Sequence, residues 1–350
     1  MVNRRGAVAV AAAVALLGSV SAFARQDKKK QDDAQKKEVQ AVVKLVDAAM
    51  AGQPMPNDLG LAWVHQDFLK AQGNKEYVPF IVTLDASKVA AGDVAFYWRA
   101  VATGAPAAAA TTNDKDKKDK KDKDKKGKWA YEDVSFAPAT AGQTGPMQLD
   151  RSFTVPGGTY DVYVVAQEMG SRDKNAPPPK TSILKQQVTV PDFWDGELDT
   201  SSVIVAQKIN PLAAPLTPEQ QADRPYAMGP MEIVPALTMK FTKKQELSTF
   251  MLIYNPKTDS SNKPDVQVEY NFYAKNADGE KFFNKTNPQA LNASTLPPQF
   301  DLAAGHQLQS GQAVPLATFP EGDYRLEIKV TDKIANKSLT RDVNFSVSGT

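Results

Sequence analysis

The sequence predicts an all-β protein of two tandem immunoglobulin-like or fibronectin-III-like β-sandwiches, preceded by a signal peptide and a short helix. The main observation is a pattern that occurs twice, over residues 156–164 and 320–328. Both copies read Pro-x-Gly-x-Tyr-x-Φ-x-Φ, where Φ is apolar, so the apolar side chains fall on one face of a strand. A closing strand follows each copy, over residues 180–190 and 337–347. A tandem repeat of one β-module explains both copies.

The tyrosine of this pattern predicts a structural corner. In immunoglobulin-like domains, a tyrosine near the start of strand F hydrogen-bonds back to the loop before it. Tyr160 and Tyr324 have this position, two residues before an apolar residue that we expect in the core. Gly158 and Gly322, two residues earlier, give the corner its backbone freedom. A generic turn would explain one copy, whereas two copies with matching strands favour the sandwich.

The N-terminus predicts export. Arg4 and Arg5 precede an apolar run over residues 7–20, and Ala22-Phe23-Ala24 fits a signal-peptide cleavage site. The run is short for a membrane span, so we expect cleavage after Ala24, a periplasmic or secreted protein and no stable membrane span afterwards. A retained anchor is the alternative. The chain has no cysteine, which excludes disulfides and leaves the sandwiches to rest on apolar cores.

Composition excludes one class of partner and predicts a disordered loop. Lysine and arginine number 42 against 40 acidic residues, so a net charge of +2 offers no field for nucleic acid. Residues 114–126 contain only aspartate and lysine, five against eight. We predict a disordered, Asp/Lys-rich loop over about 103–127, because such a segment cannot form a core. It is interpreted as a solvated spacer, with an electrostatic tether as the alternative.

A short amphipathic helix is predicted within the polar segment 25–56. Its valines and a methionine recur at helical spacing, and Gly52 supplies a stop. We expect this helix to cover a domain edge, and a partner-binding helix is the alternative. The apolar positions are Val39, Val42, Val43, Val46 and Met50.

The first sandwich is predicted over residues 57–191. Trp98 follows Phe96 and Tyr97 on an early strand, where alternation directs Phe96 and Trp98 to one face. A tryptophan there is typical of an immunoglobulin-like core, and a sugar-stacking surface is the alternative. The predicted strands are 77–84, 94–102, 128–136, 149–155, 160–167 and 182–190.

The second sandwich is predicted over residues 192–350. Its strands alternate apolar and polar side chains, which indicates antiparallel sheets with one solvated face. Glu327 and Lys329 occupy outward positions of the repeated strand, whereas the first copy has Tyr163 and Val165 at the same places. We therefore predict that Tyr163 and Val165 form an interface, covered by the helix, by the second sandwich or by a partner. The predicted strands are 203–207, 232–234, 247–254, 266–274, 280–284, 324–331 and 339–347.

Seven short segments resemble, in order, the C-terminal β-sandwich region of bacterial GWxTD-domain proteins. The resemblance covers residues 193–350 and implies a sandwich in an exported protein, without implying an activity. The Gly-Trp-x-Thr-Asp signature itself is absent from the chain. The matching segments are 198–206, 224–226 with 231–235, 254–256, 270–272, 319–324 and 330–332.

Motifs for catalysis and cofactors are missing from the sequence. His65 and His306 are the only histidines, and neither belongs to a metal-ligand pattern. The chain also lacks a nucleophile elbow and a phosphate-binding loop. We expect no enzyme activity, no cofactor and no metal.

Two functions from different classes follow. The first is an exported, non-enzymatic interaction or structural protein whose sandwiches bind a protein partner in the cell envelope or outside the cell. The alternative is a module that binds polysaccharide or cell wall through exposed aromatic side chains. A row of exposed tryptophan and tyrosine on a sheet would favour the second function. Burial of Trp98 and Trp129, with apolar surface around Tyr163, would favour the first.

Overall fold

The computed structural model describes residues 35–90, 92–104, 129–140, 144–169 and 177–349. The predicted signal peptide and most of the predicted Asp/Lys-rich loop lie outside the described residues. The described chain forms two tandem β-sandwiches of four sheets in total, and helix α1 over residues 35–50 precedes the first sandwich. The fold class is therefore all-β, as the repeated pattern predicts.

The first sandwich pairs sheets that we name A and B. Every strand pairing within them is antiparallel. Sheet B has the order β5-β4-β7-β8, and β3 is the central strand of sheet A. Sheet A contains β1 (Ala62–Gln66), β2 (Leu69–Ala71), β3 (Lys75–Asp85) and β6 (Pro146–Val155), and sheet B contains β4 (Gly92–Ala102), β5 (Tyr131–Ala139), β7 (Gly158–Glu168) and β8 (Thr181–Val190).

Aromatic side chains fill the core between sheets A and B. Trp98 is 3% exposed, and its indole N–H donates to the carbonyl of Ser152 at 2.9 Å. Phe80 packs edge-on against Trp98 with ring centroids 6.2 Å apart. Trp63 stacks on the ring of Phe80 with centroids 4.6 Å apart. Trp98 is thus a core residue and does not offer a stacking surface to a sugar.

The second sandwich pairs sheets that we name C and D. Its strands are antiparallel except β13, which runs parallel to β20. A short helix, α2 (Pro218–Ala222), precedes β11. Sheet C contains β9 (Asp199–Thr200), β10 (Ile204–Pro211), β11 (Ala227–Met228), β12 (Met231–Pro235), β14 (Glu246–Tyr254) and β18 (Leu308–Pro315), and sheet D contains β13 (Lys240–Thr242), β15 (Val266–Asn276), β16 (Gly279–Lys285), β17 (Gln289–Leu291), β19 (Gly322–Asp332) and β20 (Lys337–Ser348).

Both tyrosines of the repeat bond back to the turn before their strand. The Tyr160 hydroxyl donates to the carbonyl of Pro156 at 2.8 Å, and the Tyr324 hydroxyl donates to the carbonyl of Pro320 at 2.7 Å. Gly158 and Gly322 have φ of +148° and +147°, a backbone region that residues with a Cβ rarely adopt. The repeated motif therefore builds the same corner in each sandwich.

We expect the substitution Tyr324→Phe to lower the free energy of unfolding by about 1–3 kcal/mol, because it removes a buried hydroxyl and leaves a carbonyl unpaired. Urea denaturation of the full chain measures the change. Tyr273→Phe is the matched control, since that ring lies on the outer face of sheet D. Equal denaturation midpoints for Tyr324→Phe and the wild type would contradict a stabilising corner.

Candidate functional site

The predicted interface at Tyr163 and Val165 is covered by α1 of the same chain. Val42 and Val46 of the helix are fully buried and pack on the outer face of sheet B, against Tyr97 among others. Tyr163 is 8% exposed and Val165 is 0% exposed. The sequence left three candidates for the element that covers this face: the helix, the second sandwich or a partner. In the structure the helix covers it, so the interface is within one chain.

Arg99 anchors α1 to sheet B. Its side chain is fully buried, its Nε donates to the Tyr97 hydroxyl at 2.8 Å, and its Nη1 donates to Asp47 of the helix at 2.6 Å. Glu132 lies 3.4 Å from Nη2, and the ring centroid of Trp129 lies 4.4 Å from the guanidinium carbon. Burial disfavours the charge, but the interactions with Asp47 and Tyr97 outweigh burial and raise the pKa of Arg99. The docked helix therefore buries the apolar residues at the centre of this face.

The two sandwiches meet through an apolar interface, which we name the junction. The outer face of sheet A packs on the outer face of sheet C, so β3 and β14 are buried on both faces. Phe193, from the segment that connects the sandwiches, is inserted between them. The buried residues of the junction are Leu69, Ile81, Phe193, Ile204, Ala206, Tyr226, Ile233, Phe250, Leu252 and Tyr254.

Hydrogen bonds cross the junction beside this apolar contact. Phe68 and Ser202 exchange two bonds, from the Phe68 amide to the Ser202 hydroxyl at 2.9 Å and from the Ser202 amide to the Phe68 carbonyl at 3.0 Å. The buried carboxylate of Asp67 accepts from Tyr226 at 3.0 Å and contacts His65 Nε2 at 2.7 Å. Burial lowers the pKa of His65, but its hydrogen bond to Asp67 and that residue's charge raise it further, so the net shift is upward. His65 thus has a structural partner in the junction.

Glu76 is a fully buried carboxyl group at the junction. One oxygen accepts from the Phe193 amide at 3.0 Å, and the other has no hydrogen-bond partner among the described residues. Burial, with a smaller contribution from the charge of Asp192, raises the pKa of Glu76 to about 7. The junction therefore holds a carboxyl group that titrates near neutral pH.

An open cleft of about 750 Å³ lies at one end of the junction, and we name it the junction cleft. Lys70 of β2 and Trp194 form one wall, and Trp194 is 40% exposed. The Lys70 ammonium lies 4.2 Å from the indole centroid and donates to Asn255 Oδ1 at 2.8 Å. Burial is the largest effect on Lys70 and lowers its pKa. Contacts from both sandwiches fix this wall.

The opposite wall of the junction cleft is the loop before β18. The backbone amide of Asp301 donates to His306 Nδ1 at 3.0 Å, and the Ala303 amide donates to the Asp301 carboxylate at 2.8 Å. Because Nδ1 accepts, the neutral imidazole carries its proton on Nε2. The Nε2–H group of His306 can therefore donate a hydrogen bond to a ligand in the cleft, and Asp301 Oδ2 can accept one.

The outer face of sheet D has no cover from the described part of the chain and carries three side chains that we name the exposed cluster: Tyr273, Phe282 and Arg325. They are cross-strand neighbours, because Tyr273 pairs with Phe282 on one side and with Arg325 on the other. Phe282 is 57% exposed, and its ring centroid lies 5.9 Å from that of Tyr273 in an edge-on contact. The Arg325 guanidinium carbon lies 4.5 Å from the Tyr273 centroid.

Among the described residues, no helix combines the length and the apolar composition that a membrane span requires. No group of three or more histidine, cysteine or acidic side chains there could hold a metal ion.

Sequence reasoning missed the junction, although one signal was present. Residues 250–254 are all apolar or aromatic, and a strand without alternation is typical of burial on both faces. The isolated residues of the exposed cluster gave no comparable signal.

Comparison with known proteins gives a weak result. No family model matches the chain, and no curated protein matches it. Among solved structures, Escherichia coli alpha-2-macroglobulin activated by porcine elastase is similar at 11% identity and a TM-score of 0.23, covering 80% of this chain and 22% of that one. A Salmonella alpha-2-macroglobulin mutant is similar at 13% identity and a TM-score of 0.18, covering 84% and 17%. The chain spans less than a quarter of the length of these proteins.

Proposed function

We propose that this protein is an exported, non-enzymatic binding protein that presents two rigidly joined sandwiches to a protein partner in the cell envelope. The observation that carries the proposal is the exposed cluster on the open face of sheet D. Aromatic residues and arginine are the side chains most enriched among residues that dominate binding energy at protein interfaces. Phe282 is the most exposed of the large apolar side chains in the described chain.

The exposed cluster is held in place before any partner binds. Arg325 donates to Glu280 at 2.8 Å and to Asp342 at 2.7 Å, and it contacts Glu327 at 3.1 Å. The hydrogen bond to Asp342 is the largest of the effects that raise the pKa of Arg325. A side chain restrained in this way loses little conformational entropy on binding, which favours affinity. The surrounding carboxylates provide the polar rim that typical interfaces have.

The outer faces of sheets B and D, which carry the two copies of the repeated strand, are covered differently. Sheet B accepts α1 from its own chain, over Tyr163 and Val165, whereas sheet D has no such cover among the described residues. This difference supports the proposal that the face of sheet D takes a protein element from another chain. The junction supports it too, because it holds sheet D in a constant orientation relative to the first sandwich.

Export is part of the proposal. It is supported by the basic and apolar N-terminal segment before Ala24 and by the resemblance to exported GWxTD-domain proteins over residues 193–350. A chain without cysteine and with apolar cores folds without depending on the redox state of its compartment.

Affinity purification from the native envelope tests the proposal. We expect Phe282→Ser to weaken the binding of the principal partner about thirty-fold, the equivalent of about 2 kcal/mol for a dominant interface residue. Ile209→Ser is the matched control, because Ile209 is 43% exposed on sheet C, away from the exposed cluster. Recovery of the same proteins in equal amounts by the wild type and both variants would refute binding through the cluster.

A further inference from the structure

We infer that the junction cleft is a second binding site and that its ligand is a neutral oligosaccharide. This site is separate from the exposed cluster, because the residues that line it include none of Tyr273, Phe282 and Arg325. Ligand sites occur preferentially where domains meet, and a volume of about 750 Å³ falls within the usual range for such sites.

Trp194 supplies the aromatic surface that a sugar ring needs. Its indole N–H donates to the Lys75 carbonyl at 3.0 Å, and its amide donates to the Asp192 carboxylate at 2.9 Å. The ring is therefore held in one orientation while two fifths of the residue stays exposed. Lys70 lies over one face of this indole, and the exposed part of the fixed ring offers apolar surface to the C–H groups of a sugar at a small entropic cost.

Side-chain amides supply hydrogen bonds around this ring. Gln72, Asn262 and Gln307 line the junction cleft, and their amide groups have no hydrogen-bond partner among the described residues. An amide offers both donors and an acceptor, as does each hydroxyl group of a sugar. His306 Nε2 and the second oxygen of Asp301 add one donor and one acceptor on the same wall.

The charges of the junction cleft favour a neutral ligand over an anion. Lys70 and Asp301 are the lysine and the carboxylate among its lining residues, and their charges offset each other. Lys70 is also engaged, because it donates to Asn255 and its ammonium is influenced by the carboxylates of Glu76, Asp192 and Asp195. An anionic sugar or a phosphate would meet the Asp301 carboxylate, and Lys70, the lysine of the lining, is already engaged.

The arrangement of the free polar groups in the junction cleft suits a sugar better than an extended peptide. A peptide bound as an added strand would pair with a row of backbone groups. On β2, which borders the cleft, the Lys70 amide already donates to the Tyr254 hydroxyl at 3.0 Å. The groups that remain for a ligand belong to side chains that surround an aromatic ring.

Titration calorimetry of the full mature chain tests the inference, with cellohexaose, fully N-acetylated chitohexaose and maltohexaose as neutral probes and polygalacturonate as the anionic comparison. We expect at least one neutral probe to bind and Trp194→Ala to weaken that binding at least about ten-fold. The double variant Gln72→Ala with Gln307→Ala should also weaken it at least about ten-fold, since two hydrogen-bonding side chains are lost. Phe282→Ser should leave it unchanged.

Each outcome decides the inference. It is overturned if none of the three neutral probes binds the wild type, if polygalacturonate alone binds, or if neither variant weakens binding. Because Gln72 and Gln307 are exposed and unbonded, their double variant remains informative even where Trp194→Ala disturbs the junction. The proposed function fails separately, through the loss of any effect of Phe282→Ser on the protein partner.

Discussion

Replacing Glu76 with glutamine is expected to raise the free energy of unfolding by about 3 kcal/mol at about pH 9 and to change it little at about pH 4. The folded protein keeps a proton on Glu76 up to a pKa of about 7, whereas the unfolded chain releases it near the ordinary glutamate pKa of 4.5. The wild type therefore loses stability as pH rises through this window. Glutamine has no proton to lose, and its oxygen can still accept from the Phe193 amide.

Urea denaturation at a series of pH values measures this effect as the difference between the two proteins. The difference is needed because His65, with its raised pKa, also stabilises the fold at low pH and loses that contribution as pH rises through its folded pKa. Glu246→Gln, an exposed glutamate on sheet C, is the matched control. Parallel pH curves for Glu76→Gln and the wild type would contradict a neutral, buried Glu76.

The second large effect is expected for Val165→Lys. This position is 0% exposed beneath α1, and an ammonium group there has no partner, so docking of the helix should lose about 3–5 kcal/mol. We expect α1 to leave sheet B while both sandwich cores stay folded. Trypsin should then cut after Lys44, in the middle of the released helix, far faster than in the wild type.

Position 329 provides the control for this experiment. Lys329 lies five residues after its corner tyrosine, Tyr324, just as Val165 lies five after Tyr160. Its side chain is exposed, so Lys329→Val should leave both stability and cleavage after Lys44 unchanged. If Val165→Lys is cleaved at the rate of the wild type, α1 does not depend on this face for its position.

The features that the sequence predicted well are those with a local or repeated pattern. Tyr160 and Tyr324 lie in a motif whose spacing alone defines the corner, and alternation correctly directed Trp98 to the core. The predicted strand at 128–136 was displaced, since β5 covers Tyr131–Ala139. Strand β18 was missed, because Gly311 and the polar residues around it weaken the alternation of Leu308–Pro315.

The candidate sites were harder to predict because they depend on contacts between distant segments. Glu76 falls on the same face of β3 as the core residues Val78 and Phe80, but a charged residue near the end of a strand is expected to be solvated. Its cover, Phe193, comes from a distant segment. Trp194 follows the last strand of the first sandwich by four residues, and only the packing of sheet A on sheet C turns it into a cleft wall. Alternation predicts the face of the strand on which Phe282 lies, but it does not predict whether another segment covers that face.

The two-sided burial of β3 and β14 makes the sandwiches a single cooperative unit. Each strand contributes one face to its own core and the other face to the partner sandwich. The ten buried residues of the junction are divided between the two sandwiches. If one sandwich unfolded alone, the other would expose its own share of them to water, at a free-energy cost proportional to the apolar area exposed. A defect in one core is therefore transmitted to the other, and heat should melt both cores in one transition.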